Sequence, residues 1–113
     1  MKNLSVTMLM DFYGQLLTEK QLAALDMYYN EDLSLAEIAQ EEGISRQGVR
    51  DSIKRGEKQL EEYEDKLGLA KRFLRISEGI EEMNSVIDSL VPNGNEEKTA
   101  RLKELSKQLK ALL

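Results

Sequence analysis

The chain has 113 residues, no cysteine and no histidine, and a formal net charge of −5. Disulfides, thiolate or imidazole metal sites and catalysis by a histidine base are thereby excluded. An acidic protein repels polyanions, so any contact with nucleic acid must come from a local basic patch.

Charged residues make up 33% of the chain and aromatics 5%, with a single proline. That balance suits solvated helices and predicts an all-α fold of about six helices. The first amphipathic stretch runs from Leu4 to Leu17, with Leu9, Phe12, Tyr13 and Leu16 at helical spacing. Thr18 and Gln21 form a capping-box pair that opens a second helix. Tyr28 and Tyr29 end it as core aromatics with wet hydroxyls, base stacking being the rarer use of such a pair.

The most informative stretch is 34–60, SLAEIAQEEGISRQGVRDSIKRGEKQL. Ser34 and Glu37 make a second capping box, and Leu35, Ile38 and Ala39 follow at helical spacing. Gly43 allows a left-handed turn, Ile44 plugs that turn, and Ser45 caps the next helix. That helix points Val49, Ile53 and Leu60 inward. A small residue at Ala39 lets the two helices approach. The pattern is a helix-turn-helix.

The outer face of the second helix carries Arg46, Arg50 and Lys54 at four-residue steps, flanked by Arg55 and Lys58. Ser45, Arg46 and Gln47 occupy the cap and first turn, where recognition helices reach base edges. Arginine forks onto guanine, glutamine pairs with adenine, and lysine neutralises phosphate. The expected nucleic-acid-binding set is Ser45, Arg46, Gln47, Arg50, Lys54, Arg55 and Lys58.

Beyond Lys58 the helix turns acidic at Glu61, Glu62, Glu64 and Asp65, and Gly68 is its expected C-terminal cap. Gly56 marks a bend or a close contact. From Leu69 to Leu90, the residues Phe73, Ile76, Ile80, Met83, Ile87 and Leu90 form an a/d seam that needs a partner helix. Lys71, Arg72 and Arg75 make a small second basic cluster there. Residues 91–95, VPNGN, break the chain, with Asn95 as a cap. A last helix to Leu112 follows, with a second seam of Leu102, Leu105, Leu109 and Leu112. The two seams close within one chain as a hairpin or across a homodimer.

The expected division is a helix-turn-helix domain at 1–66, with an N-terminal helical support, and a helical extension at 67–113. No apolar run reaches the roughly 20 residues a membrane span needs, and no secretory signal pattern is present, so a cytoplasmic protein is expected. With no phosphate loop and no nucleophile elbow, neither an enzyme nor a cofactor is expected.

Residues 17–45, from LTEKQLAALDMYYN through EDLSLAEIAQEEGIS, resemble region 4 of bacterial sigma factors. DFYGQLLTEKQ (Asp11 to Gln21), YYNEDLSLAEIAQEEGISRQGV (Tyr28 to Val49), IKR (Ile53 to Arg55) and YEDKLGL (Tyr63 to Leu69) together resemble the YlxM family of small bacterial helix-turn-helix proteins. The resemblance covers about the first two-thirds of the chain. It implies duplex DNA as the favoured partner and a tie to the signal recognition particle pathway. Ser45, Arg46, Gln47, Arg50 and Lys54 carry over as the recognition surface. Gly48 and Arg50 depart from the family pattern, and the added charge of Arg50 means base preference does not transfer. Two alternatives remain open. One is an accessory protein that binds the particle's RNA or its GTPase, through phosphates and loops because an A-form major groove excludes a helix. The other is a protein adaptor that binds no nucleic acid.

Overall fold

A computed structural model describes residues 5–90 and 96–113. The expectations that involve Leu4 and the break at 91–95, including the Asn95 cap, fall outside the described residues. Those residues form six α-helices: α1 (Val6–Tyr13), α2 (Glu19–Tyr29), α3 (Leu35–Glu42), α4 (Arg46–Leu67), α5 (Leu69–Leu90) and α6 (Glu96–Ala111). Among the described residues there is no strand, so the fold is all-α. The chain divides into two compact units, Met1–Ala70 and Lys71–Leu113.

In the first unit, α4 is the element on which α1, α2 and α3 all pack. Leu9, Tyr13, Leu25, Ile38, Val49, Ile53 and Leu60 form its core, each at most 4% exposed. The first helix is shorter than its periodicity suggests. It ends at Tyr13, and Gly14–Leu16 tightens into a 3₁₀ turn that swings Leu16 outward to 57% exposure. The tight turn lets the chain reach the Thr18 cap, where Thr18 Oγ1 accepts the Gln21 amide at 3.2 Å and the Gln21 side chain accepts the Thr18 amide at 3.3 Å.

Gly56 is buried where α4 crosses α2. A Cβ there would stand 2.8 Å from Leu25 Cδ1, so the glycine marks a close contact rather than a bend. The Gly68 corner is built from distant residues. Tyr13 Oη donates to Glu64 Oε1 at 2.6 Å and accepts the Leu69 amide at 3.0 Å. Glu64 Oε1 also accepts the Ala70 amide at 3.0 Å. The first two amides of α5, which have no partner inside their own helix, are therefore capped by side chains from α1 and α4. Sequence reading placed Glu64 in a solvated acidic run; it is 4% exposed. Glu57, half-buried on α4, accepts the Tyr29 hydroxyl at 2.7 Å.

In the second unit, α5 and α6 run antiparallel, joined by Asp88–Lys103 and Glu81–Lys110 ion pairs along one side. The seam closes differently from expectation. On α5 only Ile80 and Ile87 of the six seam residues are buried, and on α6 the buried side chains are Thr99 and Ser106. Leu102, Leu105, Leu109 and Leu112 do not line the joint and are 38–83% exposed. The small side chains Thr99 and Ser106 are the buried ones on α6, and the leucine stripe is turned to the side.

Candidate nucleic-acid interface

The helix-turn-helix is made by α3, a short turn and α4. Ser34 Oγ accepts the Glu37 amide at 3.1 Å, and Glu37 Oε1 accepts the Ser34 amide at 2.9 Å. These bonds to Ser34 hold the Glu37 carboxyl below its usual range. Gly43 sits at φ 68°, ψ 31°, the left-handed conformation that ends α3. Its neighbour Ile44, expected as the plug of the turn, is 46% exposed. Its side chain lies along the outside of the turn towards Gly48, where a Cβ would stand 3.5 Å from Ile44 Cδ1. The core below is closed instead by Ile38, Ala39 and Val49.

Ser45 is exposed at the turn. Its Oγ accepts the Gly48 amide at 3.0 Å and so serves as the N-cap of α4. Arg46, Gln47, Arg50, Lys54, Arg55 and Lys58 are all exposed on α4. Among the described residues, none of the five cations in that set is engaged in an ion pair. In a chain with 21 carboxylates against 16 cations, that leaves a stripe of charge free to meet a partner.

One residue on this face was not weighed from the sequence. Asp51 Oδ1 accepts the Gln47 side-chain amide at 3.0 Å. The bond fixes which end of the Gln47 amide faces out and places a carboxylate within the cationic stripe. The i, i+4 spacing of the two residues was the available signal.

The first turn of α4 meets the start of α3. Ser34, Leu35, Ala36, Arg46, Gln47 and Arg50 line an open depression of about 380 Å³. Leu35 and Ala36 are the first two residues of α3, so their amides have no partner within the helix. Unpaired helix-terminal amides beside two guanidinium groups are suited to an anion such as a backbone phosphate. Tyr28 and Tyr29 meet edge to face, with ring centres 5.0 Å apart. Burial and the Glu57 partner raise the Tyr29 pKa above its ordinary value, which marks this ring as part of the support.

No described helix is long and apolar enough to cross a membrane. The family model described as "Putative helix-turn-helix protein, YlxM / p13 like" matches residues 1–105. The chain is 40% identical over 104 residues to a UPF0122 protein of Desulforamulus reducens, with 88% of this chain and 89% of the relative covered. It is 46% identical over 102 residues to one of Clostridium kluyveri, with 90% and 92% covered. A third, from Acetivibrio thermocellus, is 57% identical over 68 residues, covering 60% and 58%. Matches of this extent, on a chain that carries the helix-turn-helix itself, place it in the UPF0122 family of YlxM/p13-like helix-turn-helix proteins.

Proposed function

We propose that this protein is a DNA-binding regulator that sets α4 in a major groove. Arg46, Gln47 and Arg50 meet base edges and nearby phosphates there, and Lys54, Arg55 and Lys58 follow the backbone. Ser45 acts as the cap that aims the first turn. The observation that carries the reading is the exposed stripe of α4 cations, with no ion pair among the described residues, next to the open N-terminus of α3. The acidic remainder of the surface restricts contact to that stripe.

The test is duplex binding against salt. Arg46→Ala and Arg50→Ala each weaken binding and reduce the slope of log K against log[salt] by about one. Binding by both variants that equals wild type would refute the reading and favour the adaptor role. Two copies acting together would read half-sites roughly 34 Å apart. The finer tie, to the signal recognition particle, has its support in the family resemblance alone. Pulldown with the particle's RNA and its GTPase, each separately, tests it, and recovery of neither removes it.

A further inference from the structure

The hairpin of α5 and α6 has two unlike sides. One carries the Asp88–Lys103 and Glu81–Lys110 ion pairs and a depression flanked by the polar residues Asn84 and Lys107. The other is apolar. From α5 it presents Ile76, Met83, Val86 and Leu90, all at least 37% exposed. From α6 it presents the leucine stripe displaced from the joint. A largely apolar hollow lies on this side, lined by Gly79, Met83, Val86, Ile87, Leu90 and Leu102, with Glu82 as its one charged residue.

Half-exposed aliphatic side chains in this number leave a patch on the order of 500 Å², a size that on monomers marks an interaction site. Two such faces approach the roughly 1,200 Å² at which specific interfaces begin. Among the described residues of the unit, only two large apolar side chains, Ile80 and Ile87, are buried. A helical hairpin with one apolar side must stack that side on something.

The register says what fits. The two ion pairs fix which residues of α5 and α6 stand at equal height. Gly79 is then level with Leu112, Met83 with Leu109, Val86 with Leu105 and Leu90 with Leu102, each within one residue. A two-fold axis parallel to the helices keeps those heights and lays α5 of one copy on α6 of the other. Met83, Val86 and Leu90 of one copy then face Leu109, Leu105 and Leu102 of the other, while Ile76 lies past the end of the partner's stripe. Leu112, one residue past the end of α6 and 83% exposed, comes level with the one position without a side chain, Gly79, where a Cβ would find nothing within 4 Å.

We propose that two copies of this chain pair through this face into an up-down-up-down four-helix bundle, each Leu112 seated over the Gly79 of the other copy. The pairing supplies the two-copy arrangement of the proposed DNA reading and rests on that reading only for its purpose.

The test is sedimentation equilibrium of the full chain without nucleic acid. Wild type should show twice the 12.9 kDa monomer mass. Val86→Glu and Leu105→Lys should each sediment as monomers. An equimolar mixture of the two should regain the doubled mass, because the new carboxylate and ammonium then face each other across one contact. Recovery on mixing also shows that both variants fold. A monomeric wild type, variants as dimeric as wild type, or a mixture that stays monomeric would each overturn the pairing. Arg46→Ala and Arg50→Ala should leave the mass unchanged, so failure of the DNA reading and failure of this one are told apart.

Discussion

Replacement of Gly56 by alanine tests how α4 is held. A glycine inside a helix costs up to about 1 kcal/mol relative to alanine, so helix propensity alone predicts that Gly56→Ala stabilises the protein. The structure reverses the sign. The new Cβ would stand 2.8 Å from Leu25 Cδ1 and 3.4 Å from Leu25 Cγ, and Leu25 is 0% exposed, with no room to turn aside. Overpacking of this kind costs roughly 1–3 kcal/mol, so the net change is a loss of about 1 kcal/mol. In a unit of this size that lowers the melting temperature by roughly 4–8 °C. Leu25→Val removes the offending δ-methyl at a cost of about 1 kcal/mol. In that background Gly56→Ala should stabilise by roughly 0.5–1 kcal/mol, a coupling of about 2 kcal/mol. Urea denaturation of the four proteins, followed by far-ultraviolet circular dichroism, measures the cycle. A stabilising Gly56→Ala in the wild-type background, or a coupling near zero, would refute the argument.

Further outcomes follow from the buried tyrosine and the acidic residue on α4. Tyr13→Phe removes both the donor to Glu64 and the acceptor of the Leu69 amide, and thermal unfolding should show a loss of about 1–3 kcal/mol. Burial and the Glu64 partner raise the Tyr13 pKa, and burial and the Glu57 partner raise that of Tyr29. Their contribution to stability is full below the ordinary value of 10.0 and is lost as pH rises from there through the folded-state values. Tyr13→Phe should flatten that alkaline limb in a pH series of melts, and an unchanged limb would count against it. Asp51→Asn removes the carboxylate from the cationic stripe, so affinity for a random-sequence duplex should rise a few-fold, on the order of 0.5–1 kcal/mol. Fluorescence anisotropy reads the change, and an affinity that stays level or falls would show that Asp51 does not face the phosphates.

The helix-turn-helix is encoded locally. Ser34, Glu37, Gly43 and Ser45 act within four residues of themselves, so their geometry follows from side-chain reach and backbone sterics and is visible in the bare sequence. The stripe of Arg46, Arg50 and Lys54 is equally local, because helical period alone puts those residues on one face. Residues distant in the chain decided the rest. Glu64 looked like one more solvated acid until Tyr13, 51 positions away, and the start of α5 converged on it. Gly56 acquired meaning only against Leu25. On α6 the leucines carried the stronger pattern, yet Thr99 and Ser106 took the joint. Hydrophobic period tells that a helix has an apolar side. Which neighbour that side meets depends on how closely two backbones can approach, and that is set by shape in three dimensions.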